Sequence, residues 1–224
     1  MFPLRDKIPS KTFPFITVSL IVINLVVFFY ELSLGQQLNS FLNTFSIIPS
    51  QFNEAINQPS IQIFPIGFTL FSSVFLHGGW MHVIGNMWYL WIFGDNVEDS
   101  TGHFRFLIFY LLCGILAGIT HILLNPFSTV PTIGASGAIA GVMGAYFLLF
   151  PKSKILTLIF IFIFIQIIEI PAVFFLGFWI ILQFISGSMS RGLVDSGGGV
   201  AWWAHIGGFL VGVTLILLFK KRKK

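Results

Sequence analysis

Apolar positions along this chain come in long blocks, not as stripes on one face of amphipathic helices. Residues 14–34, 80–97, 103–124, 133–150 and 200–219 are each apolar nearly all round. A helix needs about 20 such residues to cross about 30 Å of hydrocarbon, so each block predicts one membrane span. The first block is longer than the core of a signal peptide, and no small-residue cleavage site follows it, so it reads as a retained span. The stretch from Ile155 to Ser186 is too long for one crossing and too short for two with a turn. Pro171 divides it. The part ahead of the proline, ILTLIFIFIFIQII, is β-branched and aromatic, which predicts an extended or interfacial connection buried against the bundle. A span from about Glu169 to Ser186 follows it. The pattern therefore predicts an all-α membrane protein, a six-transmembrane-helix bundle over residues 14–219.

Composition agrees with the pattern: 56% of residues are hydrophobic, 9% are charged and the mean hydropathy is +0.92, far from the range of water-soluble domains. The cations then set the orientation. Of the 12 Lys and Arg residues, all but Arg191 fall on one side of a six-span layout: Arg5, Lys7 and Lys11, Arg105, Lys152 and Lys154, and the terminal run KKRKK. Cations stay on the cytoplasmic side, so both termini are expected there, as a segment 1–13 and a basic tail 220–224. An odd number of spans would put the terminal cluster on the wrong face. The basic balance thus reads as topology and attraction to the inner leaflet, with the lipid bilayer as partner and no nucleic acid. The single cysteine, Cys113, excludes an intrachain disulfide and reads as a small packing residue.

In this orientation spans two, four and six begin at the outer face, opening with GGWMHVIGN, TIGASG and GGGVAWWAHIGG. At about 1.5 Å per residue, His82, Asn86, Ser136 and His205 lie roughly 5 to 10 Å below the outer surface. Imidazole and amide groups at that depth must pair or line water, which makes them functional candidates. A serine in such a helix also packs well and bonds its own backbone, so a structural reading stands beside the chemical one. Gly137 and Gly141, with Gly208 and Gly212, form small-xxx-small faces that let spans four and six approach closely. Such an approach brings Ser136 and His205 toward the roughly 3 Å that a nucleophile and its base require. His82 and Asn86, four apart, share a helix face and can donate toward one point, as an oxyanion site or as an interhelical clamp. No carboxylate falls near His205 at the right depth, so a Ser-His dyad is expected, with the imidazole oriented by Trp202, Trp203 or a ring on span five.

Taken together, HGGWMHVIGNM, FGDNVEDSTGHFRFLIFYLLCG, GASGAIAG and AHIGGFLVG, in this order from about Phe71 to Gly212, resemble the rhomboid family of intramembrane serine proteases. The resemblance implies a rhomboid-like bundle that cleaves peptide bonds in or near transmembrane segments of other membrane proteins. It implies Ser136 as nucleophile, His205 as general base, and His82 and Asn86 toward the oxyanion. Gly134 matches the first glycine of the serine motif, His77 a structural position, and Glu98 and Arg105 an inner-side loop network. It further implies small residues at the cleaved bond, with helix-weakening ones nearby. The chain departs from the family in its outer loop, 35–70, which lacks the common Trp-Arg pair. The stretch before Pro171 resembles a subset of bacterial members, and the chain is expected in a bacterial or archaeal cell membrane.

Two other readings fit the same residues: a transporter or channel lined by the same polar cluster, and a non-catalytic relative that binds or unfolds clients. His103 and His121 read as solvated or interfacial histidines. No cluster at metal spacing and no phosphate loop is present in the sequence, so no cofactor and no metal are expected. The glycine-rich stretch SGSMSRGLVDSGGG before span six is expected to form a mobile cover, with span five as a substrate gate. The oligomeric state is left open.

Overall fold

A computed structural model describes residues 1–58, 63–161, 164–190 and 200–221. In chain order the elements are β1 (Phe2–Asp6), α1 (Phe15–Ser33), α2 (Leu38–Phe45), α3 (Pro49–Asn57), α4 (Ile63–Ser72), α5 (Trp80–Thr101), α6 (His103–Leu124), α7 (Ser136–Leu149), β2 (Lys154–Ile161), β3 (Phe164–Pro171), α8 (Ala172–Ser190) and α9 (Trp202–Phe219). The protein is a mostly helical membrane bundle. Helices α1 and α5 to α9 make its body, and α2 to α4 form the outer loop between α1 and α5.

The helices alternate in direction. Glu98, near the end of α5, accepts hydrogen bonds from Ile16 N at 3.0 Å, Thr17 N at 2.8 Å and Thr17 Oγ1 at 2.7 Å. The first amides of α1, which no intrahelical carbonyl can satisfy, are thus capped from another helix. Arg105 at the start of α6 donates to Leu218 O near the end of α9 at 2.6 Å. Helices α7 and α9 run parallel along their glycines. A Cβ at Gly208 would lie 2.1 Å from Gly137 O, and one at Gly212 would lie 1.9 Å from Gly141 O. Only glycine permits backbones this close. Around this contact the core is built from Phe93, Phe106, Phe109, Tyr110, Val142 and Tyr146, all fully buried.

The six-helix layout agrees with the expectation and differs from it in detail. Among the described residues, four helices, α1, α6, α8 and α9, are long and apolar enough to cross a membrane by length and composition. Helix α5 has the length but carries Asp95, Glu98 and Asp99 in its inner turns. Helix α7 has only 14 residues, about 21 Å. The span expected over 133–150 starts as a helix only at Ser136, because Gly134 adopts φ 124°, outside helical space.

The bundle is also not purely helical. β1, β2 and β3 form one antiparallel sheet in that order. The extended connection before Pro171 is a hairpin, but only β2 turns residues inward, Ile155 and Thr157, while β3 is exposed from Phe164 to Glu169. The residues ahead of the first helix supply the third strand. Trp88 Nε1 donates to Pro3 O at 2.7 Å, and Asp6 accepts from Tyr146 OH at 2.6 Å and Asn96 Nδ2 at 2.8 Å. Span five starts at Ala172, not near Glu169, since a residue before proline is pushed out of the helical region. Glu169 stays on the strand, bonded to Lys7 and Lys154. These two ammonium groups hold its carboxyl down at about 2.

Candidate active site

Ser136 is the first residue of α7 and His205 lies in the first turn of α9. The glycine contact sets these two helix starts side by side, and His205 Nε2 lies 2.8 Å from Ser136 Oγ. The ring is buried and the serine half-buried. A cavity of about 30 Å³ adjoins the serine, lined by Ser73, Thr132, Gly134, Ala201 and Ala204 among others. That volume holds a water molecule, which needs about 10 to 15 Å³.

The other ring nitrogen has a partner that sequence reading missed. Gln183 on α8, itself buried, places Oε1 2.7 Å from His205 Nδ1. An amide oxygen only accepts, so Nδ1 carries the proton and Nε2 presents its lone pair to the serine hydroxyl. Trp179 and Trp202 flank the ring, with centroids at 5.9 and 6.2 Å. The expected aromatic packing is therefore there for Trp202 and for a ring on span five, and a polar group accompanies it. The available signal was one amide inside FLGFWIILQF, one helical turn beyond Trp179.

On the far side of Ser136 stands α5. Gly134, two residues ahead of the serine, lies so close that a Cβ would meet His82 Nε2 at 2.6 Å and Asn86 Nδ2 at 3.6 Å. Both donors predicted from the sequence are thus brought to the loop that carries Ser136. Asn86 Nδ2 also lies 3.0 Å from His77 Nε2, and the His77 and His82 rings are 5.1 Å apart. His77 is anchored by its own backbone, whose N–H meets both carboxylate oxygens of buried Glu31 at 3.2 Å. Glu31, on α1, is a second residue that sequence reading passed over. Helix α7 adds its own first amides, which have no intrahelical acceptor and face the same end.

The strand-like approach to Ser136 is fixed from the outer loop. Ile47 and Thr132 exchange backbone bonds of 3.1 and 2.7 Å, Gly134 N donates to Ser73 O at 2.9 Å, and Thr132 Oγ1 lies 3.1 Å from His121 Nε2. His121 is therefore a structural tie, and His103, 2.5 Å from Glu98, belongs to the inner-side cap of α1. Among the described residues no group of His, Cys, Asp and Glu could hold a metal. Most of the stretch expected to cover the site, 191–199, lies outside the described residues, and residues 186–190 are the last of α8.

Fold and site together define a polytopic helical membrane protein whose serine hydroxyl meets an imidazole between two helices. Residues 67–222 match the family model of the Rhomboid domain. Rhomboid-like protein 11, chloroplastic, of Arabidopsis thaliana is 31% identical over 165 residues, 70% of this chain and 54% of its own. Rhomboid protein 1, mitochondrial, of Saccharomyces cerevisiae is 30% identical over 149 residues, 65% of this chain and 40% of its own. Rhomboid protease GluP of Bacillus subtilis is 41% identical over 76 residues, 34% of this chain and 14% of its own. The chain belongs to the rhomboid family. It spans about half or less of the length of these relatives. It is an integral membrane protein. The relatives matched over most of this chain are chloroplastic and mitochondrial, so the expectation of a bacterial or archaeal cell membrane finds no support in them.

Proposed function

We propose that the chain is a serine endopeptidase of the membrane interior, cleaving transmembrane protein substrates in or near their spans through Ser136 and His205. The observation that carries this reading is the 2.8 Å contact between Ser136 Oγ and His205 Nε2, with Nδ1 held by Gln183. Ser136 Oγ attacks the substrate carbonyl carbon while its proton passes to His205 Nε2. The carbonyl oxygen becomes an oxyanion between Asn86, His82 and the first amides of α7, where each donor lowers the barrier by about 3 kcal/mol. Collapse breaks the C–N bond, and the leaving amine takes the proton from His205. Water then hydrolyses the ester on Ser136, its proton passing again through His205.

Gln183 keeps the imidazole in the productive tautomer without a carboxylate, and its amide dipole faces the imidazolium that forms. The serine's partial exposure and the adjoining cavity give water a place beside the ester. The cation bias supports both termini on the cytoplasmic side, with the site opening toward the outer face. The test is cleavage of a co-reconstituted reporter with a single transmembrane segment: Ser136→Ala abolishes it with expression unchanged. Full cleavage by that variant overturns the reading.

A further inference from the structure

At the opposite end of the bundle from Ser136, the inner ends of α5, α6, α7 and α9 surround a cavity of about 1020 Å³. That is the upper end of the range for sites that enclose small molecules, about 300 to 1,000 Å³. Its floor is apolar, with Ile8, Leu149, Phe150 and Leu217 among the lining residues, and its polar lining includes four cations, Lys11, Arg105, Lys220 and Lys221.

The cations are arranged differently from those elsewhere on this face. Lys7 and Lys154 spend their charge on Glu169. Around the cavity the one carboxylate, Asp99, is already engaged by Lys11 N, Thr12 N and Thr12 Oγ1, so backbone and hydroxyl donors occupy it. Arg105 is held in place by Leu218 O at 2.6 Å and lies over the Phe219 ring at 5.9 Å, which leaves further guanidinium donors. Lys221 is fixed by Ser100 O through its backbone and by Asp99 O through its ammonium group, at 2.8 and 3.0 Å. Both hydrogen-bond partners are neutral carbonyls, so the Arg105 charge meets no carboxylate, while the Lys221 ammonium also feels the Asp99 carboxylate. The ammonium groups of Lys11 and Lys220 have no partner among the described residues. Retention of cations on the cytoplasmic side explains their presence on this face, but not their gathering round an apolar floor.

We propose that this cavity binds the phosphate of an anionic phospholipid of the inner leaflet. The phosphodiester sits among Lys11, Arg105, Lys220 and Lys221, and the first acyl methylenes lie on Leu149, Leu217 and Phe150. Basic pockets between spans on the cytoplasmic side suit such headgroups, and a free phosphate shares the chemistry of the cations but not of the floor.

The test is native mass spectrometry of the full chain in detergent, titrated with phosphatidylglycerol, with phosphatidylcholine as the zwitterionic control. At about fivefold per cation, Lys11→Gln with Lys220→Gln weakens phosphatidylglycerol binding about 25-fold. Neither change removes a hydrogen bond within the described residues, and Lys152→Gln, on the same face but outside the cavity, leaves binding unchanged. Arg105→Gln weakens it independently. Millimolar inorganic phosphate fails to displace the lipid if the floor contributes, and displacement by it would instead assign the site to a free phosphate. Equal binding of the two lipids, or equal binding by wild type and the double variant, overturns the proposal.

Discussion

Gln183 Oε1 lies 2.7 Å from His205 Nδ1, on the side of the imidazole opposite Ser136. The bond joins α8 to α9 and ties the state of the imidazole to the position of α8. Gln183→Ala leaves Nδ1 without an acceptor and lets the ring take the other tautomer. We expect kcat to fall 10- to 100-fold, about 1.4 to 2.8 kcal/mol of barrier, with KM nearly unchanged. Gln183→Glu, which keeps an acceptor at the same reach, restores most of the rate and moves the acid limb of the kcat profile upward in pH. A merely structural glutamine would lose stability in both variants and shift neither limb.

Asn86 and His82 meet Gly134 from the same face of α5. If they hold the oxyanion, Asn86→Ala lowers kcat about 100-fold or more while binding of an uncleaved substrate variant stays near wild type. Loss of binding in parallel with rate would make the pair a packing clamp instead.

The glycine contact carries the site. Gly212→Ala drives a methyl into Gly141 O and forces α7 and α9 apart, at a cost of about 1 to 3 kcal/mol or more. Thermal unfolding in detergent drops and cleavage is lost with it. Gly85→Ala, with nothing within 4 Å of the new methyl, serves as the control and leaves both unchanged.

Glu169 gives a pH prediction with a defined sign. Lys7 and Lys154 hold its folded pKa at about 2, below the ordinary 4.5, so its contribution is complete above pH 4.5 and is lost as pH falls toward 2. Hydrogen exchange of β1 and β3 amides therefore quickens over that window relative to the core of α7, after correction for intrinsic rates. Glu169→Gln removes the extra pH dependence. The effect is small because the group is exposed and screened.

Some of this architecture could be read from the chain because it is local. Apolar blocks mark the long helices, and glycines four apart mark the close face of α7 and α9. The serine and histidine beside those glycines follow from the same periodicity. What could not be read depends on partners far along the chain. Glu98 caps α1 from a distance of more than 80 residues in sequence. Gln183 reaches His205 from another helix, and Glu31 reaches His77 from the end of α1. β1 is a five-residue strand, too short to show a period, and becomes a strand because β2 offers it an edge. Apolarity, which continues through Ile133, predicts an earlier start for α7 than the backbone allows, because Gly134 does not stay helical.

The proposed chemistry rests on the activation of one hydroxyl by one imidazole. The most direct measurement is adduct formation by a fluorophosphonate on the detergent-solubilised protein, mapped by peptide mass spectrometry, in wild type and in His205→Ala. The expected result is a single adduct on Ser136 that falls at least 100-fold in rate in the variant. An unlabelled Ser136 in wild type, or equal labelling in His205→Ala, would contradict it.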